Sequence, residues 1–441
     1  MRVRGLLMAG GVVAVLPAAG LVAQPGTASA QESSWNEWVS GEYATGNWGG
    51  TRDKLIEMGI TIEAEYIADF QTLAAGGEDD GNGWSYAGLL LGGIDFDLEK
   101  LFGWSGGRFF AQAAWSTGQD LSERHIGALF PVAAQFTGNA GRLAELYLEQ
   151  NLLGDTLSIA GGRLTTDADF GSSPIYGEYV SAAINSSPFN IPDGQPGYTT
   201  PPFAQWGIRA IWTPIEEIRT GIGIYNADQR VNENKKHGLD WSVDLDDGVM
   251  TIGEFGYLWN QKEGATGLPG TGKIGFVYSN GDLDKVRDNG EEEELIDAEF
   301  QPESGGTPTQ GNNYGFYVSV EQMIYREGDA GSTEGLTGWG VVSYSPRDNI
   351  NTNPLFVGGG LVYQGLIPGR GDDRTAVGVF YGKLSSAIQN VSSEKVVEVN
   401  HTFQVTPWFF VRPDFQYIFN PGGRTDIDDA LVLGGEVGIF F

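Results

Sequence analysis

Residues 430–441 constrain the fold more than any other stretch of the chain. Leu431, Leu433, Val437, Ile439 and Phe441 share one parity; Val432, Gly434, Glu436, Gly438 and Phe440 share the other. A strand points successive side chains to opposite faces, so this segment has one apolar face and one smaller, more polar face. It ends on an aromatic residue with no polar tail. In water, a bare apolar terminal strand is an open edge that invites aggregation. In a closed membrane barrel the last strand pairs with the first and no edge remains. The expectation is therefore a barrel closed by 430–441.

The first strand of such a barrel is legible at 60–71. Ile60, Ile62, Ala64, Tyr66, Ala68 and Phe70 alternate with Thr61, Glu63, Glu65, Ile67, Asp69 and Gln71. A tilted strand needs about ten residues to span a bilayer. Comparable alternation predicts strands at 84–98, 107–117, 141–151, 155–164, 206–214, 218–226 and 250–260. It continues at 270–280, 313–326, 337–345, 354–364, 374–385, 394–406 and 407–419. With the terminal strand this makes about 16, an even number as in bacterial barrels. Arg163 shares a face with Leu157 and Ile159, which predicts a bulge or register shift in 155–164. The connections 118–140, 165–205, 227–249 and 281–312 are long, whereas others are tight turns. The fold class expected is all-β: a transmembrane antiparallel β-barrel with a short N-terminal helix.

The ends of the chain divide further. Residues 1–30 read as a signal peptide: Arg2 and Arg4, an apolar run, then Ala28-Ser29-Ala30. Residues 31–59 read as an N-terminal periplasmic segment, with a short helix capped by Thr51 and stopped by Gly59. The barrel occupies 60–441. The chain has 26 Lys plus Arg against 57 Asp plus Glu, a net charge of −31, which argues against nucleic acid as a partner. It has no cysteine, 67 glycines and 12% aromatic residues, the composition of strands with tight turns and interfacial aromatic girdles.

Three stretches resemble the carbohydrate-selective porins of the OprB family. They are Trp48-Gly49-Gly50-Thr51-Arg52 through Gly59-Ile60-Thr61, Gly161-Gly162-Arg163-Leu164 leading to Asp169-Phe170, and Thr406-Pro407-Trp408 through Arg412-Pro413-Asp414-Phe415-Gln416-Tyr417 to Asn420-Pro421-Gly422-Gly423. The resemblance implies a sixteen-stranded barrel in the outer membrane of a Gram-negative bacterium. It also implies passive diffusion of monosaccharides and similar small polar solutes. The partners implied are small sugars and outer-membrane lipid, with monomer and homo-oligomer both open. The acidity of 281–312 departs from the family pattern and bears on solute preference.

Sugars present hydroxyls in pairs, which carboxylates and guanidinium groups can engage two at a time. Glu145, Tyr147, Glu149, Arg163, Arg209, Tyr225, Arg412 and Asp414 have the right chemistry on polar strand faces, although any water-filled lumen carries such groups. The 165–205 loop is long, aromatic and acidic, with Asp167, Asp169, Phe170, Tyr176, Glu178 and Tyr179 among its residues. It is expected to fold into the lumen, an external cap being the competing arrangement. The expected pore constriction joins Glu145, Tyr147, Glu149, Arg163, Asp167, Asp169, Trp206 and Arg209, with Arg374 on a far wall and silent. Trp206, Trp212, Trp259, Trp339 and Trp408 read as interface-belt residues, and Trp206 also borders the long loop. No cofactor or metal site is expected: Glu291–Glu294 and their acidic neighbours match no calcium-loop spacing. The three histidines form no hydrolase pattern, so no catalytic residues are assigned. A general porin with cation preference, a barrel enzyme and a soluble sugar-binding β-protein are the alternatives.

Overall fold

The computed structural model describes residues 30–262, 264–281, 311–329 and 331–441. The signal peptide expected at 1–30, up to Ser29, and the acidic run of 282–310 lie outside the described residues. Sixteen antiparallel strands close into one barrel. The first eight are β1 (Ile60–Gly77), β2 (Gly83–Asp97), β3 (Gly107–Gly118), β4 (Ala140–Leu152), β5 (Leu157–Leu164), β6 (Gln205–Ile215), β7 (Ile218–Asn226) and β8 (Val249–Trp259). The others are β9 (Gly270–Ser279), β10 (Asn313–Arg326), β11 (Gly335–Tyr344), β12 (Leu355–Gln364), β13 (Arg374–Lys383), β14 (Ser393–Thr406), β15 (Phe409–Phe419) and β16 (Asp428–Phe440).

Closure occurs where the terminal alternation requires it. β16 pairs with β1 in a register that sets Phe440 opposite Glu65 and Glu436 opposite Asp69. Leu433 is exposed on the outer face, whereas Val432 and Glu436 are buried inside. Phe70, Ile208, Ile222, Ile274 and Val318 are likewise exposed and apolar on the outside. Lipid makes such a face favourable, and the closed ladder leaves no backbone group unpaired at an edge.

Two helices precede the barrel, α1 (Ala30–Val39) and α2 (Thr51–Met58). α1 is not expected from the sequence. In α2 the N-cap is Gly50 with a left-handed backbone, not Thr51, which is already the first helical residue. Gly59 ends the helix as expected, at φ 94°. Arg52 of α2 ties this segment to the barrel seam. Its guanidinium lies between the Tyr43 and Trp48 rings, 3.8 and 4.2 Å from their centroids. It donates to Ile62 O at 3.1 Å and to Phe441 O at 3.4 Å, joining the beginning and the end of the sheet.

The connections differ sharply between the two rims. One rim carries tight turns such as 216–217 and 407–408; the other carries 119–139, 165–204 and 227–248. β5 is in unbroken register with both neighbours, so the shift expected there is absent. The irregularity sits one pairing back, where the β3–β4 ladder skips Ala144.

Candidate functional site

The 165–204 loop lies inside the barrel and follows its inner wall strand by strand. Asp169 pairs with Arg209 of β6 at 2.7 Å and with Arg219 of β7 at 3.0 Å. The Gly171 N–H donates to Glu254 of β8 at 2.9 Å, and Lys273 of β9 donates to Ser172 O at 2.8 Å. Ser173 bonds Glu321 of β10. The Tyr179 hydroxyl accepts from the Trp339 indole of β11 at 2.8 Å and donates to Val377 O of β13 at 3.1 Å. Glu178 pairs with Arg374 of β13 at 3.0 Å and with Arg412 of β15 at 3.5 Å. Finally Val180 and Ser181 donate their N–H groups to Glu398 of β14 at 2.8 and 3.1 Å.

Apolar packing fixes the same path. Tyr179 stands edge-on to Phe380, ring centroids 5.5 Å apart. It fits because β12 and β13 carry Gly360 and Gly378 beneath it. A Cβ on Gly378 would lie 2.6 Å from the Tyr179 ring, too close for any side chain. Loop 119–139 is drawn in as well: Leu129 and Phe130 donate N–H groups to Glu394 at 2.6 and 2.9 Å. Gln416 donates to Val132 O at 2.8 Å. Inward-facing carboxylates of β14 thus serve as anchors for loop backbone, which satisfies both partners in a partly dry interior.

The inward charges from β2 to β8 form a relay that the loop joins through Asp169. Arg108 of β3 pairs with Asp95 of β2 at 2.5 Å and with Glu149 of β4 at 3.2 Å. Glu149 also takes Arg209 at 3.1 Å, and Arg209 leads to Asp169, Arg219 and then Glu254, the last pair at 3.5 Å. Tyr147 joins through its hydroxyl, 3.3 Å from Arg108. The Arg108 and Arg219 side chains remain 23% and 28% exposed, so both guanidinium groups face the lumen. Positive and negative groups alternate along the line, and each arginine holds spare N–H donors in a fixed fork.

Comparison with known proteins decides the family. The model of the carbohydrate-selective porins of the OprB family matches residues 81–441. The chain belongs to that family. Porin B of Pseudomonas aeruginosa is 26% identical to this porin over 435 residues, covering 91% of each chain. A putative porin, QuiX, of Acinetobacter baylyi is 26% identical over 423 residues, covering 89% of this porin and 92% of QuiX. The high-pH structure of Pseudomonas putida OprB shares the fold, with a TM-score of 0.81, 23% identity, and coverage of 91% and 99% of the two chains.

The porin brings together only some of the residues expected at its constriction. Glu149, Asp169 and Arg209 form the centre of the relay, with Tyr147 beside them. Glu145 faces inward too, but its carboxylate accepts the Thr165 N–H at 2.9 Å and holds the root of the loop. Asp167 is buried within the loop, hydrogen-bonded by Ser186, and burial pushes its carboxyl up to about 8. It does not line the relay.

Arg163 and Trp206 are corrections. They pair with each other across β5 and β6 on the parity of Ile208 and Trp212, which is the outer face. Arg163 is fully buried there, donating to Ala144 O at 3.2 Å and Asn232 Oδ1 at 2.7 Å. Trp206 donates to Asp240 O at 3.3 Å and lies 5.5 Å from Trp241. Loop 227–248 therefore covers both on the outside of the wall. Arg374, expected to be remote, contacts the loop through Glu178, and Trp339, expected in the lipid belt, is buried inside against Tyr179. Asp95, Arg108, Arg219 and Glu254 are missing from the expected site. For Arg108 a signal exists: it shares parity with Gln112, opposite the outward Trp115.

Proposed function

We propose that this porin passes monosaccharide-sized neutral solutes by diffusion along the relay Asp95–Arg108–Glu149–Arg209–Asp169–Arg219–Glu254, in the outer membrane of a Gram-negative bacterium. The observation that carries the reading is the alternation of sign along one line that opens to the lumen at Arg108 and Arg219. A hydroxyl both donates and accepts, so a sugar finds a partner at every step. A bare ion meets attraction and repulsion in turn and is not favoured. Each replacement hydrogen bond to a charged group contributes about 1.5–3 kcal/mol net, enough to offset the water a sugar sheds without trapping it. The apolar outer band and closed ladder support the membrane location.

The test is sugar-induced block of ion current in planar bilayers. Arg108→Ala and Arg219→Ala should each weaken glucose block about ten- to a hundredfold while the pore stays open. Unchanged block in both variants would remove the relay from the solute path.

A further inference from the structure

An apolar chamber lies nearer the long-loop rim than Asp95 and Arg108. It is a cavity of about 180 Å³ between the inner faces of β1 and β2 and the loops 119–139 and 165–204. Its barrel wall is formed by Ile67, Leu89 and Leu91, all pointing inward and all buried, with the buried Glu65 beside Leu91. That is unusual chemistry for a lumen, whose inward positions are ordinarily polar. The loop side adds the rings of Phe136, Phe189 and Phe203. Two of these rings are held in place. Phe189 meets Phe130 edge-on at 5.3 Å, and the Arg142 guanidinium lies 4.3 Å above the Phe203 ring. The apolar surfaces are therefore preformed, not swept together by collapse.

The chamber also holds polar groups. Asn185 and Thr137 line it, and the buried Thr137 hydroxyl has no hydrogen-bond partner among the described residues. A native protein rarely leaves such a group unsatisfied unless water or a ligand completes it. A dry apolar cavity of about 150 Å³ takes up benzene, so a volume of about 180 Å³ has room for one aromatic ring.

We infer that this chamber binds carbohydrates bearing an apolar substituent, aryl glycosides above all, before they reach the relay. The inference rests on the carbohydrate reading of the porin and adds a solute class to it. The aryl group lies against Leu89, Leu91 and the phenylalanine rings, while a sugar hydroxyl satisfies Thr137. The sugar itself is then the end presented to the charged groups. Bare hexoses enter the relay without using the chamber.

Current block by glucose and by phenyl β-glucoside, measured in one salt on the intact porin, tests this. The wild type should be half-blocked by phenyl β-glucoside at about a tenfold lower concentration than by glucose. Leu91→Asn and Phe136→Ala should each abolish most of that difference and leave glucose block unchanged. Phe136 is in a loop, so its variant decides the matter if Leu91→Asn fails to yield a heat-modifiable barrel. Equal block by the two solutes in the wild type, or a preference that survives Phe136→Ala, overturns the inference and leaves the relay intact. If glucose itself neither blocks nor crosses the wild-type pore, the carbohydrate reading falls, and the chamber's role with it.

Discussion

From β6 round to β15 the inward side chains hold the 165–204 loop; on β2 to β4 they carry the open end of the relay, which continues under the loop to β8, and β1 and β2 line the apolar chamber. Both halves show the same alternation of inward polar and outward apolar residues, and both carry carboxylates and arginines. Their uses differ because the loop occupies one half only. Glu398 and Glu394 meet backbone N–H groups and act as anchors. Glu149 meets Arg108, which still reaches the lumen, and Arg209, which the loop covers through Asp169. An inward charge therefore acquires its role from what the loop leaves uncovered, not from its strand.

The anchored half is where the largest effect is expected. Arg412 is 5% exposed and pairs with Glu436 at 2.8 Å. Removing one partner of a buried pair leaves the other uncompensated, at a cost of about 3–5 kcal/mol. Arg412→Ala should therefore loosen the loop, raising open-channel noise and lowering the thermal midpoint of the barrel in detergent. Quiet channels with an unchanged midpoint would mean that Arg412 does not hold the loop.

A sharper contrast comes from two neighbours on adjacent strands. Arg209 faces the lumen and Arg163 faces away from it, though only two strands carry them. Arg163→Ala should leave sugar block within about twofold of wild type, because its contacts at Asn232 and Ala144 are structural and separate from the relay. Its effect should appear as protease sensitivity of 227–248. Loss of sugar block in Arg163→Ala, with the barrel intact, would put that arginine back in the pore.

The smallest effect concerns pH. Asp167 is held protonated by burial up to about 8, against an ordinary value near 4. In that window the docked loop binds a proton that the undocked loop does not, so docking weakens as pH rises from about 4 towards about 8 and levels off above it. Asp193, raised to about 6 by burial, acts in the same direction over a narrower range. Proteolysis of 165–204 should accordingly be faster at pH 8.5 than at pH 5.5, and Asp167→Asn should flatten the dependence.

Much of this was readable in the residues. Period-two alternation located all sixteen strands within a few positions, because lipid outside and water inside impose opposite chemistry on alternate residues. The aromatic content of 165–204 pointed inward for the same reason: Tyr176 and Tyr179 need apolar cover, which they find at Trp339 and Phe380. The inward turn of 119–139 was equally encoded in Leu129, Phe130 and Val132 but is masked by the polar residues around them. Arg163 shows what alternation lacks. Its parity with Leu157 and Ile159 is correct as it stands, and no bulge is needed. What makes a charge tolerable on that face is a loop sixty-odd residues later in the chain, a tertiary fact that no local pattern contains.

The chain has no native cysteine, so single thiols report access without background. The most direct measurement compares Arg108→Cys, at the open wall, with Ser319→Cys, which lies buried on β10 against Tyr176. A charged thiol reagent applied during current recording should cut conductance through the Arg108→Cys pore and leave the Ser319→Cys pore unchanged. Equal modification at the two positions would mean that the loop does not line the β6–β15 wall, and that the solute path is not confined to the relay.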